Sequence, residues 1–238
     1  MTYVEGFLAA VPTANKDAYI RHAQSAVPHF KRLGATRLVE NWGDDVPDGQ
    51  LTDFRKSVQA REDETVVFSW IEYPSKEVRD GVNAAMMEDQ GFQSMDAMPF
   101  DGKRMIWSGF LPFVDEGGEG KGGYIDGYLM VVPPGNEAAY KSQAQVASEV
   151  FMDHGAVRVV EAWGDDLMDG TLTDYKKATH LKDGENIVFS WVSWPDKATR
   201  ETGGKAFMAD ERLTCQPSEF PFDGPRAMFG GFETVVDQ

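Results

Sequence analysis

A small set of polar and aromatic residues occurs twice along the chain, and these residue types could do chemistry. The carboxylates are Glu5 and Glu40, with Asp126 and Glu161 at the matching later positions. Arginines and tryptophans repeat in the same way: Arg104 and Arg226, Trp42 and Trp163, Trp70 and Trp191. A carboxylate removed from water has a raised pKa that suits a general base, and arginines and indole rings can hold a ligand. We therefore take the carboxylates as candidate catalytic residues and the others as candidate ligand-binding residues.

The same residues also have a structural interpretation. A buried arginine–carboxylate pair can fix strand register or a domain interface. Tryptophan rings commonly fill a hydrophobic core. The sequence leaves both interpretations open.

An acidic segment is also written twice, as "ENWGDDVPDGQLTD" (40–53) and "EAWGDDLMDGTLTD" (161–174). Its aspartates, among them Asp44, Asp45, Asp48 and Asp53, could offer oxygen ligands to a hard cation. Their spacing does not match a calcium-binding EF-hand loop, and aspartate is common in turns because it hydrogen-bonds the nearby backbone. We expect a turn here and no metal site.

The histidines and the cysteine give little indication of function. His22 and His29 lie seven residues apart on one predicted helix, but Gln143 and Val150 stand at the matching positions. We interpret both histidines as surface or flanking residues. Cys215 is the single cysteine, so no internal disulfide is possible, and we expect a cytoplasmic protein. No residue pattern identifies a cofactor.

The repetition extends along the whole chain. Residues match at an offset of 121, as in Tyr3 with Tyr124 and Trp70 with Trp191, and the offset becomes 122 from "MPFDGKRM" (98–105) onward. Two copies of one domain explain this pattern. The segment "DEGGEGKGG" is typical of a flexible linker. The predicted division is 1–114, a linker at 115–123, and 124–238.

Each half has the order β-α-β-β-α-β, which predicts an α+β fold of two ferredoxin-like domains in tandem. The first helix should begin at an Asn15 cap and be kinked or split at Pro28. The stretch 51–60 could pair back as a short strand. Alternation in the first strand places Val4, Gly6, Leu8 and Ala10 on one face, which we expect to lie under the helices, and Glu5 on the opposite face.

Several segments together resemble the YbaA-like family of small bacterial proteins, a domain of unknown function. They are "YVEGFLAAVP", "GDDVPDGQLTDFR", "VVFSWIEYPSKEVRD", "AAMMED" and "MPFDGKRMIWSGF". The second half keeps "VVPPGN", "LTDYKK" and "FPFDG" but departs at "SWPDKATRE". The family is similar to the dimeric α/β-barrel group, which implies a barrel made by two sheets, here a pseudo-twofold pair within one chain. The resemblance implies no established reaction.

Composition limits the function classes. The 238 residues carry a net charge of −16, without a basic stripe, which argues against nucleic acid and anionic membranes as partners. No apolar run approaches the ~18 residues of a membrane-spanning helix. If the repeat replaces a homodimer, the chain should be a monomer.

Two functional hypotheses follow. In the first, the protein binds a small molecule in the barrel between the two sheets, and as an enzyme it would be a cofactor-free monooxygenase or isomerase by fold analogy. In the second, it is a non-catalytic structural or stress-associated interaction protein with a packed barrel. The second hypothesis predicts that Trp42, Trp70 and their counterparts meet and leave no void.

Overall fold

The computed structural model describes residues 2–86, 88–118, 120–213 and 220–238, so Met87 and Cys215 lie outside the described residues. The strands are β1 (Tyr3–Pro12), β2 (Arg37–Asp45), β3 (Glu64–Tyr73), β4 (Ile106–Glu116), β5 (Tyr124–Val132), β6 (Arg158–Asp166), β7 (Asn186–Trp194) and β8 (Met228–Asp237). The helices are α1 (Lys16–Leu33), α2 (Phe54–Ser57), α3 (Lys76–Met86), α4 (Gln90–Gln93), α5 (Glu137–Asp153), α6 (Tyr175–Ala178) and α7 (Lys197–Ala209). Short 3-10 turns occupy Thr13–Asn15, Gly102–Arg104, Glu211–Leu213 and Gly224–Arg226.

The eight strands form one closed antiparallel barrel in the order β1-β3-β2-β8-β5-β7-β6-β4. Each half contributes four neighbouring strands, and the halves join where β2 pairs with β8 and β4 pairs with β6. Because the barrel is closed, the edge strands of each four-stranded sheet, among the described residues, pair with strands of the other half. β4 extends to Glu116 and thus includes the first two residues of the predicted linker.

The barrel interior is filled by aromatic rings from both halves. The ring centroids of Trp70 and Trp191 lie 4.2 Å apart, and those of Phe68 and Phe189 lie 4.4 Å apart. All four rings belong to one buried cluster. The second hypothesis predicted this contact for Trp70 and Trp191, but Trp42 and Trp163 lie on the outer face in separate clusters.

The expected orientation of β1 is wrong. Val4, Leu8 and Ala10 belong to the barrel interior, whereas Tyr3 packs with residues of α1 and α3 on the outside. The reason is steric: a Cβ on Gly6 would lie 2.8 Å from the Phe189 ring. The small residues of β1 therefore face inward because aromatic rings from the other half need the space.

Local expectations also change. α1 continues through Pro28 as one helix and is not split there, and Asn15 makes no side-chain cap but donates its amide N–H to the Pro99 carbonyl at 2.8 Å. The stretch 51–60 contains the short helix α2 instead of a strand, because the Asp53 carboxylate accepts the Lys56 backbone N–H at 2.7 Å and starts a helical turn. α6 begins in the same way at Asp174.

The repeated acidic segment joins the two halves. Asp165 forms a salt bridge with Lys76, and Asp166 forms one with Arg79, both from α3 of the first half. Asp44 forms a salt bridge with Lys197, and Asp45 forms one with Arg200, both from α7 of the second half. The segment occurs twice because each half extends a carboxylate pair onto the other.

Candidate functional site

A cavity of about 320 Å³ lies between α1 and the outer face of the first-half sheet. Its volume is at the lower end of the usual range for small-molecule sites. The wall is mainly apolar and includes Ala9, Ala26 and Phe30, with four methionines from α3 and from the segment before β4. Methionine side chains adapt to differently shaped ligands. We call this space the helix–sheet cavity.

A cluster of three oxygen-bearing side chains lines the helix–sheet cavity, with Tyr19 and Ser69 buried and Glu40 half-buried. Tyr19 of α1 and Ser69 of β3 both donate hydroxyl hydrogen bonds to the same carboxylate oxygen, Oε2, of Glu40 in β2. Burial raises the pKa of Glu40, although both hydrogen bonds oppose the shift. The pKa of Tyr19 is raised well above its ordinary value by burial and by Glu40, so this hydroxyl keeps its proton. Because the Tyr19 hydroxyl keeps its proton and the pKa of the Glu40 carboxyl is raised, Glu40 is the group of this cluster that is suited to act as a general base.

The second half repeats this cluster. Tyr140 and Ser190 donate to Oε2 of Glu161 at 3.0 and 2.6 Å. Burial raises the pKa of Glu161 to about 7. The surroundings differ, because Met130 stands at the position of Ala9 and Phe207 at that of Met86.

Three residues of the cavity wall were not among the functional candidates named from the sequence: Tyr19, Ser69 and His22. The first two recur as Tyr140 and Ser190 at the common offset, so the repeat itself could have found them. His22 has no such signal, yet it lines the cavity, and its buried Nδ1 has no hydrogen-bond partner among the described residues. Burial lowers the pKa of His22, although Asp96 opposes the shift.

Glu5 and Asp126 lie outside the helix–sheet cavity. Glu5 accepts hydrogen bonds from Asn83 at 2.8 Å and from Arg79 at 3.3 Å. Asp126 accepts from Trp194 at 2.9 Å and from Arg200 at 2.8 Å. Burial raises the pKa of both carboxyls, with the arginines opposing the shift. Each carboxylate thus joins β1 or β5 to the helix that packs on it.

The two candidate arginines are fully engaged with carboxylates. Arg104 donates two hydrogen bonds to Glu64, at 2.7 and 2.6 Å, and Arg226 donates two to Glu185, both at 2.7 Å. These hydrogen bonds lower the pKa of Glu64 and of Glu185 to about 2. Both arginines are buried, and neither belongs to the wall of the helix–sheet cavity.

The candidate tryptophans occupy two environments. Trp70 and Trp191 stack inside the barrel, and Trp70 also donates its indole N–H to Glu72 at 3.1 Å. On the outer face, Trp42 lies beside Tyr19 with ring centroids 6.0 Å apart, and Trp163 lies beside Tyr140 at 6.5 Å. Of the candidate residues named from the sequence, Glu40 and Trp70 contribute to the cavity wall.

In the first acidic segment, Asp44 pairs with Lys197, Asp45 pairs with Arg200, and Asp53 accepts the Lys56 backbone N–H. Within the described parts of the chain, no group of three or more histidine, cysteine or acidic side chains could hold a metal ion. Across those same residues, no helix is long and apolar enough to cross a membrane.

Comparison with known families gives a match to both halves. The family model described as "Protein of unknown function (DUF1428)" matches residues 2–102 and 123–224. The chain belongs to this family. It is 58% identical over 117 residues to the uncharacterized protein YbaA of Escherichia coli K12, a match over 49% of this chain and 100% of YbaA. YbaA of Shigella flexneri matches to the same extent. This DUF1428 chain thus carries the YbaA-like domain in two tandem copies.

Solved structures similar to this DUF1428 chain share its barrel. A protein of Lactobacillus acidophilus NCFM, provisionally named a monooxygenase, aligns over 100% of this chain and 96% of its own, with a TM-score of 0.54 and 10% identity. An anthrone oxidase-like protein aligns over 100% and 92%, with a TM-score of 0.50 and 13% identity. At such identities the similarity establishes the fold, an α+β barrel, and leaves function to the site itself.

Proposed function

We propose that this protein binds a small, mainly apolar molecule in the helix–sheet cavity of its first half, with Glu40 as the central polar contact. The observation that carries the proposal is a carboxyl group with a raised pKa at the wall of an apolar cavity. Apolar pockets with a few convergent polar groups are the usual form of a small-molecule site. The sequence led us to expect the ligand inside the barrel, between the two sheets. Aromatic rings fill that interior, so the proposed site lies outside the barrel.

The proposed domain organisation follows the repeat. We propose ferredoxin-like domains at 1–114 and 124–238, joined by the linker 115–123, with the ligand held by the first. The element order supports this division. The single cysteine favours a cytoplasmic location.

A second candidate function is that of a cofactor-free monooxygenase. Glu40 would take a proton from an electron-rich substrate C–H group, and the resulting carbanion would react with molecular oxygen and a proton to give a hydroperoxide. Loss of water from the hydroperoxide would leave a carbonyl group, so that the substrate itself supplies the two electrons that reduce the second oxygen atom. The raised pKa of Glu40 and the names of two proteins with similar barrels favour this candidate. Oxygen uptake that depends on substrate and is lost in Glu40→Gln would support it, and uptake unchanged in that variant would exclude Glu40 as the base.

The binding proposal is tested by ligand-observed NMR with a library of small aromatic and aliphatic fragments. Ala9→Met fills the cavity with the side chain that the second half carries as Met130, and the reverse change Met130→Ala serves as the matched control. We expect fragments whose binding is lost in Ala9→Met and kept in Met130→Ala. Fragment binding that is insensitive to Ala9→Met, or no binding at all, would contradict the proposal.

A further inference from the structure

The polar groups of the helix–sheet cavity offer acceptors more than donors. The hydroxyl protons of Tyr19 and Ser69 are both directed at Glu40, so these hydroxyl groups have acceptor lone pairs left for a ligand and no free proton. Glu40 itself accepts hydrogen bonds whenever it is ionised. An anionic ligand would be repelled by this carboxylate, and the net charge of −16 adds to that effect.

His22 adds one more polar atom with no assigned partner. Its ring lies where the helix–sheet cavity meets a second cavity of about 360 Å³, and both cavities share His22 and Asp96. Buried polar nitrogens nearly always have a partner, so a ligand donor that reached this Nδ1 would satisfy a buried atom that has no partner among the described residues. The lowered pKa keeps the imidazole neutral at neutral pH, and a neutral imidazole has one nitrogen free to accept.

We infer that the ligand is a mainly apolar molecule that is not an anion and carries a hydroxyl or N–H group, and that this group donates a hydrogen bond to Nδ1 of His22. The inference rests on the proposed function and gives it a ligand class. Nδ1 accepts a hydrogen bond when the ring proton lies on Nε2. Nε2 is not among the buried polar atoms of the described residues that lack a partner. His22 is then a specificity-determining residue of the first half, since Gln143 stands at the matching position of the second.

A pair of probes of nearly equal shape tests this inference. 2-Naphthol carries a hydroxyl donor, and 2-methoxynaphthalene has the same ring system with the donor removed. Binding of both is measured by fluorescence titration and confirmed by competition NMR. We expect wild type to prefer 2-naphthol by about 10-fold, the size of one buried hydrogen bond.

Variants of His22 separate hydrogen bonding from shape. His22→Phe keeps a planar ring without a nitrogen and should lower 2-naphthol affinity about 10-fold while 2-methoxynaphthalene changes less than about twofold. The amide oxygen of the His22→Gln variant can accept a hydrogen bond. Compared with His22→Phe, this variant should therefore recover part of the preference for 2-naphthol over 2-methoxynaphthalene. Equal losses for both probes, or no loss for either, would overturn the inference.

The wild-type preference provides a test that needs no variant. Equal affinity of wild type for the two probes would overturn the inference while the proposed cavity stands, provided that Ala9→Met weakens both. Failure of both probes to bind wild type, or binding that ignores Ala9→Met, would instead contradict the proposed function.

Discussion

Tyr19 of α1 donates its hydroxyl hydrogen bond to Glu40 of β2, and this contact ties the first helix to the outer face of the sheet beside an apolar cavity. The same contact recurs between Tyr140 and Glu161. A carboxyl group held between a helix and a sheet has little access to water, so its protonation is coupled both to folding and to anything that enters the cavity.

Glu161→Gln should stabilise the protein above neutral pH. The pKa of Glu161 is raised from 4.5 to about 7, so its stabilising contribution is fully present below pH 4.5 and is lost as pH rises through 7. We expect the variant to gain about 1–3 kcal/mol in free energy of unfolding at pH 8 relative to wild type, and no comparable gain at pH 4.5. Urea denaturation at both pH values measures this, with the exposed Glu149→Gln as control. Equal effects at the two pH values would show that Glu161 does not titrate in this range.

Arg104→Met should destabilise the first half because it leaves Glu64 buried without its partner. Breaking a buried pair from one side costs about 3–5 kcal/mol, whereas the double variant Arg104→Met with Glu64→Met should recover much of the loss. Thermal and denaturant unfolding of the three proteins gives the comparison. A single variant of normal stability that no longer bound ligand would instead favour the ligand-binding role expected from the sequence.

The Trp70–Trp191 stack should be a main source of stability for the closed barrel. Trp70→Ala removes a fully buried ring that contacts the other half, and we expect a loss of about 3–5 kcal/mol. Phe229→Ala, which removes a largely exposed ring, should change stability by less than about 0.5 kcal/mol. Comparable losses in the two variants would mean that the interior stack contributes little.

The chain should be a monomer in solution. Both seams between the halves are closed within the chain, so the eight strands that the structure describes present no unpaired edge to a second copy. Sedimentation equilibrium should give a mass near 26.4 kDa. A mass of twice that value would indicate that halves pair between chains.

The repeat and the order of elements could be predicted because they are local and because the 121-residue offset doubles every signal. Which face of β1 lies inside the barrel could not be predicted from the sequence. Leu8 and Phe7, on opposite faces, are both apolar, and the inward face is decided by the Phe189 ring of the other half. Tyr19, Glu40 and Ser69 come from three separate elements, so their meeting is a property of the fold.

His22 lay beyond prediction for another reason. It occurs in one half, so the repeat does not mark it. Its Nδ1 becomes a buried atom without a hydrogen-bond partner in the described part of the chain once α1 is packed on the sheet. Arg104 was predicted either to bind a ligand or to form a buried pair with a carboxylate, and its partner Glu64 lies 40 positions away in β3.

The most direct test is native mass spectrometry of the whole chain equilibrated with 2-naphthol, compared with the Ala9→Met variant. Because Met130 already occupies the matching space of the second half, we expect a monomer with one bound molecule. We expect the Ala9→Met variant to lose that complex. A complex that persists in Ala9→Met, or the absence of any complex with the wild-type protein, would contradict the helix–sheet cavity as the binding site.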